Sequence, residues 1–236
     1  EISLGLVGSE MCIRDRLIFK LPNVGINSNT VLFRNKASQG NPDENPADPE
    51  AGAFANKVLE YNPAPSQYMN TSYTAYEEGF TGIQVLARAT ELLQDRTTCL
   101  FTLGGFGGNI TVGFDHTIPN VPGEYDFKIY GNAYYDMYGT LLDKPGGNSE
   151  PGIVLVSKDT NGNGLPDDEW YELAGSEYNS PATIRNYEIT YYRPTPADGD
   201  VKWKDNQGKE GYIYRNTYHT QGSYYPAWMP AEITFR

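Results

Sequence analysis

Short runs in which apolar and polar residues alternate one by one recur from residue 109 onward. They include NITVGFD, YDFKIY, IVLVS, WYELA and NYEITYYR. Successive side chains of an extended strand point to opposite faces of a sheet, so this alternation indicates strands with one face in a core. Because such strands follow one another with turns between them, the sequence predicts a mostly β fold, an antiparallel jelly-roll-like β-sandwich.

One segment has a helical period instead. In TGIQVLARATELLQDR (81–96), apolar side chains recur about every three to four residues, which predicts one helix packed on the sheets. Thr81 stands where an N-cap belongs. The predicted buried stripe consists of Ile83, Leu86, Ala87, Ala89 and Leu93.

The first quarter of the chain differs from the rest. Residues 1–16 resemble translated sequencing-adapter sequence, and we interpret them as a non-native segment, with a genuine strand and turn as the alternative. Residues 17–53 read as the remnant of a preceding region followed by a linker rich in Pro, Asn and acidic residues. The β-sandwich domain then covers 54–236, and we expect it to be truncated at its C terminus.

The charge and the hydropathy of the sequence argue against nucleic-acid binding and against a membrane-spanning helix. The net charge of −12 leaves no basic surplus to neutralise phosphates, which argues against nucleic acid. A membrane-spanning helix needs about 20 predominantly apolar residues, and the sequence has no such run, so no transmembrane segment is predicted.

The run DTNGNGLPDDEW (159–170) spaces its oxygen-bearing side chains as a calcium loop does. In such a loop, positions 1, 3, 5 and 9 supply side-chain ligands, a Gly at position 6 permits the turn, and position 7 supplies its carbonyl. The predicted metal ligands are Asp159, Asn161, Asn163, Asp167 and, through its carbonyl, Leu165.

The loop is not an intact EF-hand, because Trp170 stands where that motif has a Glu. It is similar to the short calcium loops of dockerins and thrombospondin type-3 repeats. A metal-free hairpin connection is the alternative, since Asn-Gly pairs favour tight turns. With only two acidic ligands, we expect weak affinity, roughly 10⁻⁴–10⁻³ M.

The stretch 201–230 concentrates aromatic residues. Flat rings cover the apolar face of a sugar, while neighbouring polar groups bind its hydroxyls. The alternative is that the rings fill the sandwich core. The predicted ligand-binding residues are Trp203, Tyr224, Tyr225 and Trp228. No catalytic residue is assigned, because the adjacent carboxylates at 167–169 diverge on an extended chain and the two histidines form no metal-ligand pair.

Four stretches resemble cell-surface proteins of gut Bacteroidetes, which often carry PKD-type or immunoglobulin-like domains. They are FTLGGFGGNITVGFDHTI, EPGIVLVSKDTNGNGLPDDEWYELAGSEY, NYEITYYRPTP and YYPAWMP. The resemblance covers about 57–236 and implies an exported protein at the cell surface or outer membrane, with its signal outside this sequence and with outer-membrane proteins as candidate partners.

These observations favour a surface-exposed binding module that is stabilised by calcium and takes a glycan or another nutrient ligand. Two alternatives stay open: a polysaccharide hydrolase or lyase, and a structural spacer of a larger surface protein.

Overall fold

The computed structural model describes residues 54–94, 101–118, 125–130, 152–220 and 222–236, together with the backbone pairing of five short strands elsewhere. The described strands, in chain order, are β1 (Ile2–Leu4), β2 (Ile13–Lys20), β3 (Leu32–Asn35), β4 (Lys57–Asn62), β5 (Asn109–Ile118), β6 (Phe127–Tyr130), β7 (Tyr134–Tyr135), β8 (Gly147–Asn148), β9 (Ile153–Lys158), β10 (Trp170–Glu172), β11 (Ile189–Tyr192), β12 (Val201–Asp205), β13 (Glu210–Ile213) and β14 (Glu232–Phe235).

The described strands pair antiparallel throughout. One sheet has the order β10-β9-β2-β5-β4 and another the order β13-β12-β11-β14; a three-stranded sheet has the order β1-β6-β3, and β7 pairs with β8. The predicted mostly β architecture, with antiparallel sheets and one packed α-helix, is therefore confirmed. The jelly-roll connectivity is consistent with this order of strands.

The α-helix, α1 (Gly82–Gln94), packs against β4. Its buried stripe is Val85, Ala89 and Leu93, whereas Ile83 is 83% exposed. The predicted helix is confirmed, but two of the five residues predicted for its buried face, Ile83 and Ala87, are exposed, and Leu86 is half-buried. The reason is the i, i+4, i+8 spacing of the three buried residues, which leaves Ile83 on the far side of the first turn.

Two hydrophobic cores lie in the described residues. The larger one joins α1 to β4, β5, β6 and β9. The smaller one lies under the four-stranded sheet, whose inner face contributes Ile189, Tyr191, Val201 and Phe235. Alternation along the same strands turns another set outward: Thr190, Tyr192, Lys202, Lys204, Glu210, Tyr212, Glu232 and Thr234.

The glycine-rich segment 103–108 connects the two cores as a tight turn. Gly107 has φ +84°, and a Cβ there would lie 2.2 Å from the Cβ of Phe235. The Tyr191 hydroxyl donates to the carbonyl of Phe106 at 3.1 Å. Only glycine both adopts this backbone conformation and leaves room for the Phe235 ring.

The predicted boundary at residue 16 falls inside β2. This strand pairs on one side with β5 and on the other with β9, and the pairing includes residues on both sides of the boundary. The foreign origin of residues 1–16 stays a prediction, as do the assignment of 17–53 to a preceding region with a linker and the truncation at the C terminus. Most of 1–53 lies outside the described residues.

Candidate functional site

The 159–169 loop joins β9 to β10 at one end of the five-stranded sheet, where Trp170 pairs with Ser157. The ammonium of Lys57, at the start of β4, lies 3.9 Å from the position that a Cβ of Gly164 would take. The loop therefore lies against a cation from the opposite edge strand of the sheet.

Three hydrogen bonds between side chains and backbone fold this loop. A carboxylate oxygen of Asp159 accepts from the N–H of Gly164 at 2.9 Å. Asn161 Oδ1 accepts from the N–H of Asn163 at 2.9 Å, and Asn163 Oδ1 accepts from the N–H of Leu165 at 2.7 Å. Gly162 and Gly164 both have positive φ, which permits the repeated turns.

The Asp167 carboxylate closes the loop. One of its oxygens accepts from Asn161 Nδ2 at 3.3 Å and the other from Asn163 Nδ2 at 2.9 Å. Asp168 points elsewhere, because its Oδ1 accepts from the N–H of Thr160 at 3.3 Å and also from that residue's hydroxyl. The structure thus brings the side chains predicted at positions 3, 5 and 9 together, and it holds Asp159 to the same loop through Gly164.

The oxygen atoms of this loop are of the chemical types that bind calcium. Calcium takes carboxylate, amide and backbone carbonyl oxygens, and Asp159, Asn161, Asn163, Leu165 and Asp167 supply all three. An Asn side chain presents either its oxygen or its nitrogen after a half-turn of the amide. In the described part of the chain, no group of three or more His, Cys, Asp or Glu side chains is placed to hold a metal.

The structure does not assemble the four predicted ligand-binding aromatics into a platform. Tyr224 and Tyr225 are each 1% exposed. Their hydroxyls donate to the carbonyls of His219 at 2.7 Å and Pro230 at 2.6 Å. Burial raises the pKa of Tyr225, with the Arg193 charge opposing it. Both rings belong to the smaller core, and neither offers a face to a ligand in this conformation.

The two tryptophans predicted to bind a ligand, Trp203 and Trp228, are half-buried and lie in different surroundings. Trp203 faces the smaller core, and its ring lies against Gly211, where a Cβ would be 2.7 Å from the indole. Trp228 stacks on Tyr76, with ring centroids 5.3 Å apart and an interplanar angle of 20°. Trp228 also packs against the larger core. Each ring therefore has a packing role that the aromatic count alone could not show.

The exposed aromatic pair is Tyr212 and Tyr214. Their side chains are 48% and 70% exposed. Their ring centroids lie 6.1 Å apart with a tilt of 37°. Tyr212 is the cross-strand partner of Lys202 on the outer face of the four-stranded sheet. The signal that could have found this pair is strand parity: Val201 points inward, so alternate residues across the β12–β13 hairpin point outward.

Charged side chains surround this pair. The Glu210 carboxylate lies 3.2 Å from the ammonium of Lys202 and 3.6 Å from that of Lys204. The hydrogen bond from Lys202 lowers the pKa of Glu210, and Lys204 adds to the effect. We call the set of Lys202, Lys204, Glu210, Tyr212 and Tyr214 the tyrosine face.

A separate pair of side chains, Tyr68 and His219, joins two loops. The Tyr68 hydroxyl lies 3.1 Å from Nε2 of His219, and the two rings are 4.5 Å apart. Asn216 fixes the second loop by accepting from the N–H groups of Tyr218 and His219, at 2.9 and 2.8 Å, and donating to Gln67 at 2.8 Å. This network accounts for His219 as a packing residue. The side chain of His116 lies outside the described residues.

No protein-family model matches the chain, and no curated protein sequence is significantly similar to it. Among the described residues, the helices are all too short or too polar to cross a lipid bilayer. The geometry of the loop and of the tyrosine face therefore carries the functional argument.

Proposed function

We propose that this chain is a bacterial cell-surface module that binds a glycan on its tyrosine face and is stabilised by calcium in the 159–169 loop. The observation that carries the proposal is the adjacent pair Tyr212 and Tyr214, exposed on a sheet whose other face is packed in a core. Tyr212 lies on β13, and a strand holds a ring more precisely than a loop does.

The chemistry of the tyrosine face suits a sugar. A pyranose ring has one apolar face, which a Tyr ring covers at low conformational-entropy cost. Its hydroxyl groups accept hydrogen bonds from the ammonium groups of Lys202 and Lys204 and donate to the carboxylate of Glu210. Two ammonium groups and one carboxylate give these three side chains a net charge of +1.

Calcium has a structural role in this proposal. The metal would be held by Asp159, Asn161, Asn163, Asp167 and the carbonyl of Leu165, and it would supply the positive charge that the two ligand carboxylates require. Holding this loop fixes β10, the edge strand of the five-stranded sheet. The sugar-binding residues lie on the other large sheet, so the metal acts on stability.

The resemblance to Bacteroidetes surface proteins supports placing this activity outside the cell. An exported glycan-binding module captures a nutrient polysaccharide for other proteins of the outer membrane. Those proteins are the partners that we propose, and a glycan is the ligand.

Binding of the chain to a glycan array, followed by calorimetry with the best ligand, tests the proposal. We expect Tyr212→Ala to weaken binding at least about tenfold, since an aromatic contact at the centre of a site is worth 1.4 kcal/mol or more. Tyr171→Ala is the matched control, because Tyr171 is an exposed strand tyrosine on the other large sheet. Glycan binding that Tyr212→Ala leaves unchanged would contradict the proposed site, and no binding at all would favour a structural spacer.

A further inference from the structure

The sequence contains two Asn-Gly pairs, and both lie in the 159–169 loop: Asn161-Gly162 and Asn163-Gly164. Asn-Gly is the dipeptide most prone to spontaneous deamidation, because glycine has no side chain to hinder attack by its own backbone nitrogen. Comparing the two pairs, we propose that Asn161 is a site of spontaneous deamidation in the folded protein and that Asn163 is protected from it.

The reaction needs no enzyme and no cofactor. The backbone nitrogen of the glycine loses its proton and attacks Cγ of the preceding Asn. A C–N bond forms, the bond from Cγ to the amide nitrogen breaks, and ammonia leaves with the proton that it needs. Water then opens the cyclic imide at either carbonyl, which yields Asp or isoaspartate.

The two asparagine side chains are held alike. Each Oδ1 accepts from the backbone N–H two residues later, at 2.9 Å for Asn161 and 2.7 Å for Asn163. Each Nδ2 donates to the Asp167 carboxylate. Each following glycine has positive φ, +71° and +74°. The side chains therefore give no reason for one pair to react faster than the other.

The attacking nitrogens are held differently. The N–H of Gly164 donates to the Asp159 carboxylate at 2.9 Å, and this residue is half-buried. Within the described residues, the N–H of Gly162 has no such acceptor, and Gly162 is exposed. Attack by Gly164 must break a hydrogen bond to a charged group, one of the stronger kinds in proteins. Attack by Gly162 has no bond of this kind to break.

The product changes the loop. Deamidation of Asn161 to Asp places a third carboxylate among the proposed calcium ligands, at position 3, where ligand charge sets affinity. This consequence rests on the proposed calcium site, whereas the difference between the two asparagines does not.

Peptide mapping by mass spectrometry, after incubation of the folded chain in chelator at mildly alkaline pH, tests the proposal. We expect Asn161 to deamidate at least about tenfold faster than Asn163, because a charged hydrogen bond protects only the second site. In the free peptide DTNGNGLPDDEW, and in the chain unfolded in urea, the two rates should be within about threefold of each other. Equal rates in the folded chain, or a faster Asn163, would overturn the proposal.

Asp159→Ala removes the acceptor of the Gly164 N–H and should raise the rate at Asn163 towards that at Asn161. A thermal melt first checks that the variant is folded. If the variant is not folded, the comparison between the folded and the urea-unfolded wild-type chain still shows whether the fold protects Asn163 relative to Asn161. A folded variant in which Asn163 stays protected would show that the hydrogen bond is not the cause.

Calcium provides a separate arm. If the amide oxygen of Asn161 ligates the ion, saturating calcium should slow deamidation there several-fold, and Asn161→Asp should bind calcium more tightly by titration calorimetry. Failure of both results, with Asn161 still faster than Asn163 in chelator, would remove the calcium site and leave the deamidation site.

Discussion

The 159–169 loop and the aromatic stretch 201–230 both concentrate candidate ligand groups, but the fold treats them in opposite ways. In the loop, the side chains of Asn161 and Asn163 both donate to that of Asp167, and Asp159 is held to the same loop through Gly164. In the aromatic stretch, the predicted rings scatter: two are buried in the core and two are half-buried in different places.

The difference follows from the range of the interactions. A loop of eleven residues folds on itself through bonds between residues two to eight apart, so its spacing nearly fixes its geometry. The position of a ring on a sheet depends on strand register and on segments far away in sequence. Tyr225, for example, lies beside Asn70, whose amide donates to its carbonyl at 2.9 Å. Local patterns therefore predicted the loop better than they predicted the aromatic surface.

The largest effect that we predict concerns the buried rings. Tyr225→Ala should lower the free energy of unfolding by about 3–5 kcal/mol, through the cavity that it leaves in the smaller core. Tyr225→Phe keeps the ring and loses only the hydrogen bond to Pro230, so it should cost about 1 kcal/mol. Urea denaturation of the two variants measures both values. A small loss for Tyr225→Ala would return this ring to the list of surface candidates.

The second effect belongs to the loop. Calcium at about a hundred times its dissociation constant should raise the free energy of unfolding by roughly 2.7 kcal/mol, and Asp159→Ala should abolish that gain. Thermal melts in calcium and in chelator measure it, with Asp168→Ala as the control, since Asp168 bonds to Thr160 and not to the proposed ligands. Identical melting curves for the wild type in the two buffers would contradict calcium binding and favour a metal-free hairpin connection.

Sequence patterns predict some elements of this fold and miss others. The run IVLVS covers all of β9 except its last residue, NYEITYYR contains β11, and the segment 81–96 contains α1. The β12–β13 hairpin lies in the stretch 201–230, whose aromatic content predicts a binding surface, although Val201 and Trp203 alternate with Lys202 and Lys204 as strand residues do. Tyr224 and Tyr225 are adjacent and yet both buried, which alternation cannot produce. Their segment is irregular and is held between Ser66, Asn70 and the sheet.

The third effect concerns Trp228, the ring of the aromatic stretch that packs near the start of α1. Trp228 stacks on Tyr76. Its ring also lies near the start of α1, where a Cβ on Gly82 would be 3.6 Å from Cδ1 of the indole. Because the ring is half-buried, Trp228→Ala should cost about 2 kcal/mol, less than removal of a fully buried aromatic. Urea denaturation gives the value, and Trp228→Phe, which keeps a ring on Tyr76, should cost less. A loss above about 4 kcal/mol would make Trp228 a core residue outright, and no loss would make it a surface ring.

The smallest effect on stability is the one that matters most for function. Tyr212 is exposed on the tyrosine face, so Tyr212→Ala should change the free energy of unfolding by no more than about 0.5 kcal/mol.

The same substitution should remove most glycan binding, and Tyr214→Ala should act in the same direction, because the two rings stand 6.1 Å apart on one face. Glu210→Gln separates the roles of the rings from that of the charges. It keeps a hydrogen-bonding side chain between Lys202 and Lys204 while removing the charge that they hold. If sugar hydroxyls donate to this carboxylate, the variant binds more weakly than the wild type with its rings intact. If Tyr212→Ala is strongly destabilised, the ring has a packing role. If the variant binds the glycan as the wild type does, the exposed pair does not recognise the ligand.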